Sequence, residues 1–140
     1  MDSRDALVTD LTACLEAVPA LVFAYLFGSR ARGDAREDSD IDVAVYGRPS
    51  GWPLFRDVLG ALGERFPTGR VHLTLLADAP PGLVYRVLRD GVLLIDRDAV
   101  SRVRFATRNL SMYQDMAHMH RQYAEGDAAR VDGRTDVRGG

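Results

Sequence analysis

The chain of 140 residues is the size of a single domain, and a domain of this size buries about two thirds of the surface that its unfolded chain exposes. Hydrophobic residues make up 46% and charged residues 27% of the sequence, which excludes an intrinsically disordered protein. The formal net charge of -2 excludes a global basic field, so charge does not favour nucleic acid as a partner.

Hydrophobic periodicity predicts four helices and four strands. Apolar residues recur at three- and four-residue spacing in the predicted helices and form short runs in the predicted strands. In chain order the elements are a helix at 3–18, a strand at 21–27, a strand at 41–46, a helix at 54–66, a strand at 71–76, a helix at 81–90 capped by Gly91, a strand at 92–95 and a long helix at 98–124. We expect one domain at residues 1–125 and a flexible tail at 126–140, where Asp, Arg and Gly dominate.

The single cysteine and the hydropathy pattern indicate where in the cell the protein is expected. Cys14 has no second cysteine with which to form an internal disulfide, and it falls on the apolar stripe of the first helix, so we interpret it as a core residue. The sequence has no basic-then-apolar leader and no apolar run of about eighteen residues. We therefore expect a cytoplasmic protein that does not enter a membrane.

Asp40 and Asp42 open the second predicted strand, with Ile41 between them. Successive side chains of a strand alternate faces, so both carboxylates project to one side and Ile41 projects to the other. Two ionised carboxylates a few ångströms apart repel each other unless a cation lies between them. Magnesium prefers one or two carboxylates together with phosphate oxygens and waters. The pair therefore predicts a magnesium site that holds a nucleoside triphosphate.

Gly28 and Ser29 follow the first strand and provide the other half of a phosphate site. Glycine lets the backbone approach phosphates closely, while the serine hydroxyl and nearby amide groups donate hydrogen bonds to them. Arg30 and Arg32 are candidates for a charged contact, since the sequence has no lysine and arginine suits phosphate. Spacing alone does not decide which of the two arginines faces the site.

The segment from Phe27 to Gly33, followed by Asp40-x-Asp42, resembles the signature of the nucleotidyltransferase superfamily to which DNA polymerase beta belongs. With the short length of the chain, the segment resembles the minimal nucleotidyltransferases, which are the antitoxins of HEPN/MNT toxin–antitoxin pairs. Weaker similarity continues at 79–80 and 87–94, so that the resemblance covers most of residues 20–125.

This resemblance implies a nucleotidyltransferase α+β fold, with a small mixed β-sheet flanked by α-helices and a long C-terminal helix. It implies that Asp40 and Asp42 bind Mg²⁺ and are catalytic, and that Gly28 and Ser29 contact the triphosphate of ATP. Its functional implication is an antitoxin that forms a hetero-oligomer with a HEPN ribonuclease toxin. The antitoxin would transfer AMP from ATP to a tyrosine hydroxyl of the toxin and thereby silence it.

His72 departs from the superfamily pattern, which usually has a third carboxylate on a neighbouring strand. Strand alternation puts His72 and Thr74 on one face, where that carboxylate is expected. A neutral imidazole can accept the proton of an attacking hydroxyl, although nitrogen is a poor ligand for magnesium. We therefore retain His72 as a candidate catalytic base, alongside a bystander role and a weakened site. Other acidic residues that would compensate are Asp34, Glu37, Asp38 and Asp78.

Two further functions remain open at this point. If the substitution at residue 72 abolishes catalysis, the protein is a non-catalytic antitoxin that acts by binding and occlusion. Alternatively, it transfers a nucleotide to a small molecule or an RNA end, although relatives with those activities generally carry an added substrate domain.

Three aromatic or histidine candidates are weaker. Trp52 follows a Gly- and Pro-rich loop, and we interpret it as tucked onto the core rather than as a base-stacking platform or a partner anchor. His118 and His120 are two residues apart on the last helix and do not share a face, so we interpret them, with Asp115, as solvated or interfacial.

Overall fold

The computed structural model describes residues 3–33, 40–67 and 69–131, with side chains described as far as Gln122. Five helices and four strands are present in these ranges: α1 Ser3–Leu15, β1 Leu21–Phe27, α2 Ser29–Arg32, β2 Ile41–Gly47, α3 Trp52–Gly63, β3 Val71–Leu75, α4 Pro81–Asp90, β4 Val92–Asp96 and α5 Ala99–Val131. A 3-10 turn, Leu76–Asp78, follows β3. None of the described helices is apolar over a length that would cross a membrane.

The four strands form one mixed sheet in the order β3-β2-β1-β4. The central strand β1 pairs antiparallel with both β2 and β4, whereas β2 and β3 are parallel. A parallel pair needs a crossover connection, which α3 supplies between β2 and β3. The predicted α+β class with a mixed sheet and a long C-terminal helix is confirmed.

Each face of the sheet carries its own core. Alternation along β2 sends Ile41, Val43 and Val45 to the face covered by α1 and α3, where Cys14 is also buried as predicted. The opposite face of the sheet packs under α4 and α5. There the Phe23 ring stacks on Tyr46 at 4.8 Å and meets Phe105 at 5.6 Å between ring centroids. Asp42 alternates with the first set of residues, so it belongs to the α4/α5 face.

The structure differs from the sequence-based predictions at four places. The polar segment after Gly28, for which no helix or strand was predicted, begins with the one-turn helix α2. Trp52 is not tucked onto the core, because it starts α3 with its side chain 66% exposed and stacked on Phe55. Gly91 ends α4 in an extended conformation rather than in the left-handed one usual for a capping glycine. The last helix continues to Val131, beyond residue 124, where it was predicted to end.

We predict that Phe23→Ala lowers the free energy of unfolding by about 3–5 kcal/mol, because it removes a fully buried ring from the centre of the α4/α5 face. Urea denaturation followed by circular dichroism measures the change. Val100→Ala is the control, because Val100 is 64% exposed and its truncation should change stability by about 0.5 kcal/mol or less. Equal effects of the two substitutions would contradict the assignment of the core.

Candidate active site

Gly28 and Asp42 meet where β1 ends and β2 begins. The antiparallel register pairs Phe27 with Asp42, so the residue after Phe27 lies beside the Asp42 carboxylate. Gly28 has a φ of 76°, in the region that favours glycine. A Cβ atom at Gly28 would overlap Oδ2 of Asp42, well inside van der Waals contact. Two features therefore require glycine at residue 28: the positive φ of its backbone, and the Asp42 carboxylate, which leaves no room for a Cβ atom.

Helix α2 presents Ser29 and Arg32 at the same place. The amides of Ala31 and Arg32 donate to the carbonyl oxygen of Gly28 at 3.1 and 3.2 Å, and buried Ala31 anchors the turn in the core. Residues three apart on a helix share a face, so Ser29 and Arg32 lie on one side and Arg30 is rotated away. The Arg32 guanidinium also lowers the pKa of Asp42. Arg32 is therefore within electrostatic reach of Asp42.

His72 lies next to both carboxylates. It is directly opposite Asp42 in the parallel pairing of β2 and β3, so the two side chains share a face. Its Nε2 atom is 3.4 Å from Oδ2 of Asp40, and its Nδ1 atom is 3.7 Å from Oδ1 of Asp42. Strand alternation predicted that these three side chains share a face, and in the structure they lie next to one another. Neutral His72 has one ring nitrogen available to accept a proton.

The environment of Asp42 disfavours its charged form. Burial is the main cause that raises the pKa of Asp42, and the charge of Asp40 raises it further, while His72 and Arg32 lower it. A divalent cation between the two carboxylates would remove their repulsion. Both ligands are hard oxygen donors, which fit magnesium. In the described part of the chain, no group of three or more His, Cys, Asp or Glu side chains is arranged to hold a metal, so phosphate oxygens and waters would complete the coordination.

The remaining candidates stand apart from this centre. Asp78 lies in the turn after β3, at the opposite end of that strand from His72, and is exposed. The other three compensating acids, residues 34, 37 and 38, lie outside the described residues. His118 and His120 are exposed on α5.

One charged group near the site was not predicted. The pKa of Asp90 is lowered, first by hydrogen bonds from Arg89 and also by the charge of Arg32. The available signal in the sequence was an acidic residue at the end of a helix, immediately before Gly91, where cations are usually preferred.

The family follows from the sequence match. Residues 9–100 match the profile described as polymerase beta, nucleotidyltransferase. The chain belongs to the polymerase beta nucleotidyltransferase family. The match includes the Gly28-Ser29 pair, both aspartates and His72, so this nucleotidyltransferase carries its candidate site inside the family domain. Curated protein sequences include no significant match to the chain.

Several solved structures resemble this nucleotidyltransferase over nearly their whole length. A toxin–antitoxin complex with AMP-PNP aligns with a TM-score of 0.65 and 28% identity, covering 87% of this chain and 98% of the other. A tri-AMPylated HEPN toxin from Shewanella oneidensis in complex with MNT antitoxin aligns with a TM-score of 0.62 and 26% identity, covering 90% of this chain and 98% of the other. The toxin–antitoxin complex MntA-HepT aligns with a TM-score of 0.60 and 26% identity, covering 89% of this chain and 98% of the other.

We predict that Gly28→Ala weakens ATP binding and destabilises the protein more than Gly33→Ala does. Both glycines have positive φ values, 76° and 80°, so each substitution should cost about 1–2 kcal/mol in backbone strain. Only the Cβ at residue 28 meets Asp42, because nothing lies within 4 Å of the corresponding position at Gly33. Calorimetric titration with ATP and Mg²⁺, together with urea denaturation, measures both effects. Equal losses in the two variants would refute the role of the Asp42 contact.

Proposed function

We propose that the protein is the antitoxin of a HEPN/MNT toxin–antitoxin pair, and that it transfers AMP from ATP to a tyrosine hydroxyl of its cognate HEPN ribonuclease. The observation that carries this proposal is the convergence of Asp40, Asp42 and His72 beside the Gly28 backbone. The similar structures support the choice of partner and donor, because they include complexes with a HEPN toxin, with AMP-PNP and with AMPylated toxin.

The nucleotide would lie between the two halves of the site. Asp40 and Asp42 would hold Mg²⁺, which neutralises charge on the triphosphate when bound. Ser29 would donate its hydroxyl to a phosphate oxygen, and the absence of a side chain at Gly28 would let the phosphates approach the backbone. Arg32 would contact the triphosphate through its guanidinium. Arg30 remains a candidate for a contact at the rim, because it lies on a different side of α2.

The transfer step needs a base close to the acceptor. The tyrosine oxygen would form a bond to the α-phosphorus while the bond between that phosphorus and the bridging oxygen breaks, releasing pyrophosphate. His72 would accept the phenolic proton, because its imidazole is 60% exposed and adjacent to both carboxylates. The carboxylates would stabilise the imidazolium that results, in the manner of an acidic partner to a catalytic histidine.

We predict that Asp40→Ala combined with Asp42→Ala abolishes AMP transfer. The protein would be incubated with labelled ATP, Mg²⁺ and its cognate HEPN protein, and label on the HEPN protein would be measured. Asp5→Ala combined with Asp57→Ala removes the same charge from exposed helical positions on α1 and α3 and should leave labelling unchanged. Equal labelling by the site variant and the wild type would refute the proposed function.

Occlusion without catalysis is a second candidate, and it is favoured by one observation. His72 occupies the position opposite Asp42 where relatives are expected to supply a carboxylate. If occlusion is the mechanism, the Asp40/Asp42 variant still co-purifies with the toxin and still protects cells from it. Loss of protection despite intact binding would exclude occlusion.

We predict that His72→Gln reduces AMP transfer by about 100-fold or more, because glutamine cannot accept the proton. The affinity for ATP should change little, because the substitution leaves the proposed metal ligands Asp40 and Asp42 in place. His72→Asp separates the two interpretations of this residue. If histidine is a weakened replacement for a carboxylate, the aspartate variant transfers AMP faster than the wild type. A faster aspartate variant together with an active glutamine variant would contradict the role of His72 as a base.

A further inference from the structure

Helix α2 is too short to be stable by itself. It comprises one turn, Ser29–Arg32, and it begins directly after Gly28, so its position affects where the Gly28 backbone and the Ser29 hydroxyl point. A single helical turn is unfavourable in isolation, because it fixes several residues for very few hydrogen bonds. Carbonyl oxygens at the end of a helix also lack partners within it. Contacts with the rest of the domain must therefore hold α2 in place.

Two features connect α2 to helix α1, both at Ala31. The Ala31 side chain is only 2% exposed and belongs to the same core cluster as Leu7 and Leu11 of α1. Its carbonyl oxygen accepts a hydrogen bond of 2.9 Å from Nη1 of Arg4, which is 27 residues earlier in the chain. Residues three and four apart share one side of a helix, so Arg4 lies on the same face of α1 as these two leucines. This face therefore both packs in the core and holds the end of α2.

The charge of Arg4 suits its position at the end of α2. Carbonyl oxygens there carry partial negative charge, so a cationic side chain is favourable, and a hydrogen bond from a charged donor is stronger than one from a neutral donor. Gly33 closes the same end with a φ of 80°, and its amide donates to the carbonyl oxygen of Ser29 at 3.1 Å. The end of α2 is thus held by its own chain at Gly33 and by α1 at Arg4.

We propose that Arg4 is a positioning residue that holds α2 so that the Gly28 backbone and the Ser29 hydroxyl are oriented for the triphosphate before the nucleotide binds. This inference rests on the proposed function, because it assigns Gly28 and Ser29 to the nucleotide. A turn that is ordered in advance loses less conformational entropy on binding, so the nucleotide binds more tightly. Arg4 acts through α2 and does not itself contact the nucleotide.

Hydrogen exchange in the protein without nucleotide tests whether Arg4 holds α2. In Arg4→Gln, which lacks the positive charge and has a shorter side chain, the amides of Ala31, Arg32 and Gly33 should exchange about tenfold faster. These amides donate the hydrogen bonds of the turn, and local opening exposes them. Amides of the buried strand β1 should keep their wild-type rates, as measured by NMR. Equal acceleration in β1 and α2 would indicate general destabilisation and contradict the positioning role.

Nucleotide binding tests the consequence for the site. Calorimetric titration of the full chain with a non-hydrolysable ATP analogue and Mg²⁺ would give Kd, which Arg4→Gln should raise by about threefold to tenfold. When Arg4→Gln is combined with Ser29→Ala, the loss should be smaller than the product of the two single losses, because the hydroxyl contributes fully only while α2 is held. Arg4→Lys keeps a charged donor, so its Kd should lie between those of wild type and Arg4→Gln.

Arg97→Gln is the matched control. The Arg97 guanidinium also donates to backbone carbonyl oxygens, those of Leu21 at 3.0 Å and Glu16 at 2.9 Å. Leu21 starts β1, whereas Gly28 follows its other end, so this arginine is attached to the opposite end of the strand from the candidate site. Arg97→Gln should lower the stability of the protein while Kd and the exchange rates of the α2 amides stay at their wild-type values.

The outcomes separate this inference from the proposed function. An unchanged Kd for Arg4→Gln, or losses that multiply in the combined variant, overturns the positioning role. If Arg4→Gln fails to fold, a wild-type Kd for Arg4→Lys overturns it instead. Unchanged binding by Asp40→Ala with Asp42→Ala would overturn the nucleotide site itself. Loss of binding in that variant, together with weaker binding and local exchange in Arg4→Gln and a normal Arg97→Gln control, supports both.

Discussion

The close approach between the Gly28 backbone and the Asp42 carboxylate is the constraint on which the candidate site depends. Gly28 follows β1, whose side chains from Leu21 to Leu26 are buried, so the proposed phosphate-binding turn is attached to the most buried strand of the sheet. Asp42 belongs to β2, which is paired with β1 and alternates core side chains with site side chains. The two halves therefore cannot shift independently, and their separation is set by the packing of the core. A site built on such rigid elements loses little entropy when it binds its ligand.

The parallel pairing of β2 and β3 places His72, the proposed proton acceptor, beside the two aspartates. Parallel strands put directly opposite residues on the same face, so His72 faces the aspartates without any contribution from a loop. Partial burial raises the pKa of Asp42 and so disfavours its charged form, while His72 and, to a smaller extent, Arg32 offset part of this effect.

Features that depend on strand alternation could be predicted from the sequence, and features that depend on long-range packing could not. Alternation along two strands is enough to bring Asp40, Asp42 and His72 to one face. Helix α2 has only four residues, too few for an apolar period, so the sequence could not predict this helix. The prediction that Trp52 packs on the core was wrong, because the sequence near the start of a helix does not indicate which residues an aromatic side chain will contact. The position of Asp90 depends on the pairing of β1 with β4, far apart in the chain.

The replacement of a carboxylate by His72 bears on which acceptor suits this site. Among the described residues two carboxylates, rather than three, converge at the site, so under the proposed function deprotonation of the acceptor would depend on the imidazole of His72. A histidine base has an unperturbed pKa of about 6.5, and its driving force for proton transfer improves as the acceptor becomes more acidic. A tyrosine hydroxyl, with a pKa of about 10, is far more acidic than a serine, threonine or ribose hydroxyl. Within the proposed function, the two-aspartate, one-histidine arrangement is therefore better matched to a phenol than to an aliphatic alcohol.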